Sequence, residues 1–470
     1  MFPTRSIALA FLLLAASGWA RAQVTLPQVQ VRNLPGLPTE PLNRTVNGVL
    51  DQADPQRLRE LRQVRVRNLL RTNRTVLEAD PRGAPIVRNE VVALSPTAVA
   101  LDRARAAGFG IGRTRTLEGL DVSIVVLQAP PGMSTRRALE RLRREDPEGT
   151  YDYNHVYLES GEVGGASMGT GSTWPLMDGG SNEMIRGRSA SPIAKIGAGN
   201  AEAIADGDAG VSTPVAKAKV GLIDGGVQRS HVVFDGVAVH EHGCTGGAVP
   251  SAHGTAVASL LVGQGDVFHG AAPGAELFAA DVYCGLATGG ALDAVAEAFA
   301  WMSREKVPVI NISLVGPANV LLEQIIRVVT ARGHIVVAAV GNDGPSAPPL
   351  YPAAYPEVIA VTGVDAKQRV LVEACRGKHV DFSAPGANMS AASMESPFGV
   401  VRGTSFAAPI VAGLLARQLN TINKERADAA IAALVAQATD LGARGVDKIY
   451  GNGLVGNDLR PPEQLASAPR

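Results

Sequence analysis

From about residue 215, short and almost wholly apolar segments alternate with longer stretches that have helical periodicity. Strands without polar alternation are typical of parallel sheets, because helices cover both faces of such sheets. The predicted strands span 219–223, 277–283, 307–314, 335–340 and 358–361, and the predicted helices span 255–262, 291–305, 320–331 and 404–419. We therefore predict an α/β domain over residues 214–460, with a mostly parallel sheet, helices on both faces, and a tail at 461–470.

Residues 1–22 have the pattern of a secretory signal peptide. Arg5 precedes an apolar stretch at 7–20, and Ala20-Arg21-Ala22 offers the small residues that a signal peptidase needs. The apolar stretch is shorter than the roughly 20 residues of a membrane-spanning helix. We predict cleavage after Ala22, a secreted or periplasmic protein, and no stable membrane span afterwards. A retained membrane anchor is the alternative.

Three further segments precede the α/β domain. Residues 23–87 form a lead-in with a basic helix at 55–71, whose arginines either face solvent or bind an acidic partner. Residues 88–158 predict a small α/β unit, with strands at 89–94, 122–127 and 151–157, a helix at 96–107 and a second helix capped by Ser134. Residues 159–213 are rich in Gly, Ser, Ala and Asn, which predicts a flexible linker.

The charge balance of the chain argues against a nucleic-acid partner. Its 44 Lys and Arg residues equal its 44 Asp and Glu residues, so the formal net charge is zero. Densely anionic partners attract proteins that carry an excess of positive charge. We therefore expect no binding to nucleic acid.

Three cysteines, Cys244, Cys284 and Cys375, permit three different single disulfides. An exported protein meets an oxidising compartment, where a disulfide persists. We favour the pair Cys244–Cys284, because both residues lie in loops near the strands of the predicted site. Cys375 would then be a free thiol.

Three polar residues in glycine-flanked contexts supply the parts of a nucleophilic hydrolase. Asp224 ends an apolar strand, where open α/β sheets place their sites, while His253 and Ser405 each begin a helical run. A serine hydroxyl needs a base to take its proton, and a buried carboxylate holds that histidine in one tautomer. We predict that Asp224, His253 and Ser405 form a catalytic triad that works through an acyl-enzyme.

The run Val340-Gly341-Asn342-Asp343-Gly344 follows a predicted buried strand. An Asn-Asp-Gly sequence is usually only a turn, but this one lies between base and nucleophile along the chain. We predict that the side-chain amide of Asn342, with the backbone N–H of Ser405, stabilises the oxyanion of the tetrahedral intermediate.

The same region resembles the subtilisin family of serine peptidases, in which the triad follows the order Asp, His, Ser. The resemblance covers about residues 215–456 and implies an endopeptidase that acts on protein or peptide substrates. In this family the segment corresponding to Ser313, Leu314, Val315 and Gly316 binds the substrate backbone and walls the S1 pocket. The matching runs are Gly221-Leu222-Ile223-Asp224-Gly225-Gly226-Val227, His253-Gly254-Thr255-Ala256-Val257-Ala258, Ile310-Asn311-Ile312-Ser313-Leu314, Ala338-Ala339-Val340-Gly341-Asn342-Asp343-Gly344 and Gly403-Thr404-Ser405-Phe406-Ala407-Ala408-Pro409.

Residues 88–158 are similar to the inhibitory propeptides that precede many subtilisin-like domains, notably at Asn154-His155-Val156-Tyr157. The resemblance implies a pro-domain that is an intramolecular inhibitor of the same chain. Such a unit also assists folding, because parallel sheets rich in non-local contacts fold slowly. We predict a zymogen that cuts itself within residues 160–213.

Two positions depart from the family pattern. Gly225 stands where Ser or Thr usually follows the aspartate, which removes a hydroxyl near the carboxylate and should loosen its orientation. Val315 stands where glycine is common, and a β-branched side chain there should narrow the S1 pocket. We therefore expect a preference for small or medium-sized P1 side chains.

No cofactor or metal site is expected. His240 and His242 have i, i+2 spacing but no further ligands nearby in sequence, and Asp206-Gly207-Asp208 lacks the rest of a calcium loop. Two alternative functions stay open. One is a binding or scaffold relative that kept the fold and lost turnover, and the other is a dedicated processing protease for one partner protein.

Overall fold

The computed structural model describes residues 55–160, 162–163 and 217–467, in which two blocks of secondary structure follow each other. The first block contains the helices α1 (Pro55–Thr72), α2 (Ala98–Ala106) and α3 (Thr135–Glu145). Its strands are β1 (Leu77–Ala79), β2 (Pro85–Leu94), β3 (Gly110–Leu117), β4 (Val122–Gln128), β5 (Thr150–His155), β6 (Leu158–Glu159) and β7 (Glu162–Val163). The predicted signal peptide, the first part of the lead-in, most of the linker and residues 468–470 lie outside the described residues.

The second block alternates strands with helices. Its helices are α4 (Ala252–Val262), α5 (Leu292–Arg304), α6 (Val320–Ala331), α7 (Thr404–Ala416) and α8 (Lys424–Gln437), with short 3-10 turns at Val232–Phe234, Asn457–Leu459 and Glu463–Ser467. Its strands are β8 (Lys219–Asp224), β9 (Val239–His242), β10 (Glu276–Asp281), β11 (Val309–Ile312), β12 (Leu314–Val315), β13 (Ile335–Ala339), β14 (Ile359–Val364), β15 (Phe382–Pro385), β16 (Met389–Ala392) and β17 (Phe398–Arg402).

A seven-stranded sheet in the order β15-β14-β13-β11-β8-β10-β9 lies at the centre of this block. Every neighbouring pair in it is parallel. Parallel strands need a crossover between them, and the helices supply it. The predicted α/β class with a mostly parallel sheet is therefore confirmed.

Alternate residues of the central strands enter two separate cores. On β8, Val220 and Leu222 pack in the core that contains α4, α7 and α8. Ile223 packs in the other core, with α5 and α6. Because both faces of each strand are buried, the strands have no polar alternation, which is the feature that revealed them in the sequence.

The N-terminal unit is an antiparallel sheet in the order β1-β2-β4-β3, with β5 also paired to β2. Helices α2 and α3 cover one face, and each has a side-chain cap at its N-terminus, of which only Ser134 was predicted. Thr97 accepts a hydrogen bond from Ala100 N, and Ser134 accepts one from Arg137 N. The sheet begins at Leu77, earlier in the chain than the boundary at 88 that the sequence suggested.

Strand β5 docks the N-terminal unit on the beginnings of two helices of the second block. Asp152 accepts a hydrogen bond from Val320 N at the start of α6, at 3.0 Å. Asn154 accepts one from Asp293 N at the start of α5, at 3.3 Å. The first N–H groups of a helix have no partner inside it, so β5 satisfies groups that would otherwise stay unpaired.

A polar network built on buried carboxylates reinforces this contact. The Asn154 amide donates to Glu90 at 2.7 Å and to Asp293 at 3.0 Å, and Asn154 is fully buried. Arg113 grips Glu90 through both terminal nitrogens and donates to Asp293 through Nε at 3.0 Å. The guanidinium of Arg113 and the amide of Asn154 thus each bridge the two carboxylates.

Cys244 and Cys284 form a disulfide, as predicted, and Cys375 is a buried free thiol. Burial raises the pKa of Cys375 to about 12, so its thiol stays protonated at neutral pH. No helix within the described ranges is long and apolar enough to cross a membrane.

Replacing Asn154 with Ala should destabilise the chain. The change removes one of the two donors that Glu90 and Asp293 share and leaves Asp293 N without its acceptor, so we expect a loss of about 1–3 kcal/mol in the free energy of unfolding. Urea denaturation of full-length protein that carries Ser405→Ala measures it. The control is Arg105→Ala, which breaks an exposed pair with Asp102 and should cost at most about 1 kcal/mol. Equal losses in the two variants would contradict the role of the network.

Candidate active site

The Asp224 carboxylate and the His253 imidazole form a buried pair. Strand β8 ends at Asp224, and Ser251 caps α4 just before His253 by accepting a hydrogen bond from Gly254 N at 2.9 Å. His253 Nδ1 lies 2.9 Å from Asp224 Oδ1, and the carboxylate is fully buried. Gly225 N donates to the same oxygen at 2.7 Å. The carboxylate thus fixes the imidazole through Nδ1 and turns Nε2 the other way.

Ser405 lies in the first turn of α7 and is fully buried. Its carbonyl cannot receive the usual helical hydrogen bond, because Pro409, four residues on, has no N–H. The Ser313 hydroxyl donates to that carbonyl instead, at 3.1 Å. The ring of the next residue, Phe406, lies 5.5 Å from the imidazole of His253. Helix α7 therefore brings Ser405 into the pocket that holds the Asp224–His253 pair.

The Ser405 hydroxyl contacts a residue of the first block rather than the imidazole. Its Oγ lies 3.4 Å from the Oγ of Ser160. Across the described part of the chain, His253 Nε2 has no hydrogen-bond partner. A hydrogen bond between a serine nucleophile and its histidine base is often long before reaction and tightens only as the reaction proceeds.

The side-chain amide of Asn342 is held in one orientation. Its Oδ1 accepts a hydrogen bond from Thr404 N at 3.0 Å, and its Nδ2 donates to the carbonyl oxygen of Ser160 at 2.8 Å. The Thr404 hydroxyl accepts from Gly341 N at 3.1 Å, which ties the start of α7 to the end of β13. The amide donor therefore points at the peptide carbonyl of Ser160, the residue whose side chain contacts the Ser405 hydroxyl.

Two short strands on either side of residue 161, β6 and β7, contact the site. Strand β6 pairs with β12 in antiparallel fashion, and β7 pairs with β17 in the same way. Ser160 lies between the two pairings. The sequence placed this segment in a flexible linker that starts at residue 159, so Ser160 was missed. From Ser160 on, the sequence is rich in small and polar residues, which is typical of a loop. The order of this segment comes instead from pairing with distant strands, which local composition does not reveal.

The four predicted substrate-binding residues line this segment. Leu314 lies opposite Glu159 and Val315 opposite Leu158, and both are fully buried. Ser313 supports the Ser405 carbonyl, as described above.

The fourth of these residues, Gly316, leaves room for a large side chain of the segment. Any side chain at Gly316 would collide with the ring of Tyr157. Tyr157 is fully buried, its hydroxyl donates to Pro317 O at 3.2 Å, and its N donates to Gly290 O at 2.8 Å. The hydroxyl of Tyr283 donates to Tyr157 O at 2.9 Å. The ring and backbone of Tyr157 thus anchor the segment three residues before Ser160.

The carboxylate of Glu159 lies against the Asp224–His253 pair. Ligand atoms of these three residues are all within 4.8 Å of one another, and the Ser251 hydroxyl donates to Glu159. Burial raises the pKa of Glu159 above its ordinary value. Burial lowers the pKa of His253, but the charge and hydrogen bond of Asp224, aided by the charge of Glu159, raise it to about 9. Neither Glu159 nor Ser251 was found from the sequence, because only their contacts mark them.

Helix α1 contacts the second block as well as solvent. Its Arg62 forms a salt bridge of 3.1 Å with Asp343, the residue after Asn342. Near its end, Leu69 and Leu70 pack against a small apolar cluster that includes Leu158. Part of the basic face that the sequence assigned to solvent or to an acidic partner therefore contacts the second block beside the site.

Side chains of the types that can bind a metal ion lie close together in two clusters within the described ranges. One is Cys244, Asp281 and Cys284, in which the cysteines are joined as a disulfide. The other is the cluster of Glu159, Asp224 and His253, where Nδ1 and a carboxylate oxygen are already bonded to each other. The histidines that the sequence considered as ligands stack on aromatic rings instead, His240 on Phe278 and His242 on Trp301.

Comparisons with known proteins found similar sequences and a similar fold. A model of the subtilase family matches residues 216–453. Subtilisin DY of Bacillus licheniformis is 32% identical over 248 residues, which cover 51% of this chain and 89% of that protein. Subtilisin BL of Lederbergia lenta is 35% identical over 207 residues, which cover 43% and 75%. The fold resembles that of fervidolysin from Fervidobacterium pennivorans, with a TM-score of 0.58, 18% identity, and coverage of 82% of this chain and 61% of that one.

Gly225→Ser places the family's usual residue after Asp224, and we expect it to destabilise this chain. The Oγ and Cβ of Ser251 occupy the space that a side chain at Gly225 needs, and such overpacking costs about 1–3 kcal/mol. Urea denaturation measures the loss. Adding Ser251→Gly should recover part of it, because glycine at a helix N-cap costs only a few tenths of a kcal/mol.

The control for this prediction is Gly265→Ser, where a Cβ meets only Phe268 O at 3.9 Å. If Gly225→Ser were as stable as the control, the contact with Ser251 would not restrict this position.

Proposed function

Since the chain belongs to the subtilase family and is a subtilisin-like serine endopeptidase, we propose that Asp224, His253 and Ser405 are its catalytic triad. The observation that carries this proposal is the position of Ser160. Its carbonyl oxygen lies 2.8 Å from the Asn342 amide, and its side chain lies 3.4 Å from the Ser405 hydroxyl. A peptide carbonyl in this position is where a serine nucleophile needs its substrate.

In the proposed mechanism, Ser405 Oγ attacks the carbonyl carbon while His253 Nε2 takes the hydroxyl proton. The buried charge of Asp224 stabilises the imidazolium that forms, and the Asn342 amide donates to the oxyanion. The C–N bond then breaks, and His253 returns the proton to the leaving amine. Water repeats these steps on the acyl group of Ser405 and restores the hydroxyl.

The first bond that this enzyme cuts, in our proposal, is Ser160–Gly161 of its own chain. Pairing of β6 with β12 and of β7 with β17 supports this, because one paired strand precedes that bond and another follows it. Ser160 would occupy S1, Glu159 S2 and Tyr157 S4. A serine at P1 agrees with the small or medium-sized residue expected from Val315.

The same contacts support the proposal of a zymogen with an intramolecular inhibitor. Residues 157–160 fill the subsites that any other substrate needs. The polar network of Asn154 and Arg113 holds the rest of the N-terminal unit on α5. A competing protein substrate must displace both.

Export is the remaining part of the proposal. It rests on the signal pattern of residues 1–22 and is supported by the disulfide Cys244–Cys284, since structural disulfides are typical of oxidising compartments. The location would be periplasmic or extracellular.

Removal of the proposed nucleophile should block self-cleavage. Full-length Ser405→Ala should accumulate uncut, while the wild-type product should begin at Gly161 by N-terminal sequencing. On a peptide substrate Ser405→Ala should lose about 10⁶-fold in kcat and Asn342→Ala about 10²–10³-fold, magnitudes that are those of subtilisin itself. Asn423→Ala, which removes only the cap of α8, is the matched control. Purified Ser405→Ala that still cuts itself after Ser160 would refute the assignment.

The width of the S1 pocket should depend on Val315. We expect the mature enzyme to prefer Ala or Ser over Phe or Tyr at P1, and Val315→Gly to raise kcat/KM for Phe by roughly tenfold or more. A peptide library that varies only P1 measures both effects. Val267→Gly, at an exposed position, serves as control. Strong selection for Phe or Tyr by the wild type would contradict this account.

A further inference from the structure

The Glu159 carboxylate occupies a space that the departure at Gly225 opens. Glu159 Oε1 lies 3.2 Å from the position that a Cβ at Gly225 would take, and Ser251 reaches into the same space from the cap of α4. The Ser251 hydroxyl donates to Glu159 while its oxygen accepts from Gly254 N. A side chain at 225 would displace both groups. The missing side chain therefore makes room for a hydroxyl and a carboxylate beside the imidazole.

Pairing in β6 and β12 fixes the Glu159 backbone, so the carboxylate is held at this position. It adds a second negative group to the one that Asp224 already supplies. Two carboxylates near one imidazole favour the imidazolium, because each attracts the positive charge and they repel each other.

We propose that Glu159, held by Ser251, keeps a proton on His253 in the uncut precursor and thereby sets the pH at which the precursor cuts itself. This inference rests on the proposed function, since it assigns a regulatory role to the residue before the proposed P1 position. Ser251 acts as a positioning residue.

The other charged and titratable groups around the pair come from three elements. Asp224, at the end of β8, favours the imidazolium, and its charge raises the pKa of Glu159. Arg65, on α1, opposes the imidazolium and favours the ionised form of Glu159. Tyr283, after β10, is buried with its pKa well above the ordinary value and stays neutral. The raising effects prevail over burial, and the pKa of His253 is about 9.

The sign of the effect follows from the role of His253 as a base. Only the neutral imidazole can take the Ser405 proton. With a pKa of about 9, roughly one imidazole in a hundred is neutral at pH 7. Self-cleavage should therefore be slow at neutral pH and rise as the pH approaches 9. Loss of the Glu159 charge lowers the pKa of His253 and moves this rise to lower pH.

The same charge should act in the opposite direction at high pH. The carboxylate also stabilises the imidazolium that forms during attack, and a base of higher pKa accepts a proton more readily. Glu159→Gln should therefore cut faster than wild type below the midpoint and more slowly on the plateau. Two pH profiles that cross distinguish this role from a merely structural one, which would scale the rate equally at all pH values.

The test follows self-cleavage of the full-length precursor after refolding into buffers from pH 5 to 10, with intact mass as readout. We expect the midpoint for Glu159→Gln to lie about one pH unit below wild type, which is about tenfold faster cutting at pH 7. Ser251→Ala should shift it in the same direction by less. Glu140→Gln, an exposed carboxylate paired with Arg136 on α3, should behave as wild type.

Mature enzyme provides a second measurement that does not depend on how the variants fold. Two peptides that span the proposed bond, Tyr-Leu-Glu-Ser-Gly and Tyr-Leu-Gln-Ser-Gly, are compared for the pH dependence of kcat. The midpoint should be higher by about one unit for the Glu peptide. Equal midpoints in both experiments would overturn the inference. The proposed function would survive that result if cleavage still required Ser405 and still produced a chain that begins at Gly161.

Discussion

The antiparallel pairing of β6 with β12 is the interaction on which the geometry of the site depends. It sets the register that places the Ser160 carbonyl at the Asn342 amide. A slip of one residue would exchange the two faces of the segment and remove that carbonyl. A pairing of only two residues on each strand fixes the register weakly, and the neighbouring Tyr157 strengthens it. Its ring fits only where Gly316 has no side chain, and its backbone is bonded on both sides.

Two independent sets of contacts hold the N-terminal unit on the second block. One is the extended segment in the cleft, and the other is the polar surface of β5 on the first turns of α5 and α6. Cleavage of the proposed bond after Ser160 breaks no contact of the second set. The polar network as a whole adds little to the free energy of unfolding, because its buried carboxylates lose their hydration when the chain folds. These contacts instead fix the orientation of β5 on the second block, because Asn154 and Asp152 accept hydrogen bonds from helix N–H groups that are otherwise unpaired.

The sequence was sufficient to predict the central sheet. In the structure Asp224 ends a strand, Asn342 lies three residues beyond another, and the four-residue set is completed by His253 and Ser405 in the first turns of two helices. Local pattern determines such positions. Glu159 and Ser160 lie in a segment whose composition indicates a loop, and only pairing with distant strands orders it. The start of the N-terminal sheet was placed too late for a similar reason, since Leu77 pairs with Val87 and Ala79 with Pro85 across a turn without a periodic signal.

Gly225 shows how a departure from a family pattern acquires a meaning in context. From the sequence it implied only a missing hydroxyl and a looser carboxylate. Among the described residues Asp224 Oδ2 indeed has no hydrogen-bond partner, but Ser251 brings a hydroxyl into the vacated space. That hydroxyl serves Glu159, a residue of the segment that the proposed cleavage separates from the second block. The absence of a side chain at position 225 therefore changes the electrostatics of the uncut chain by admitting a second carboxylate. The cut and released enzyme would keep one carboxylate beside one imidazole.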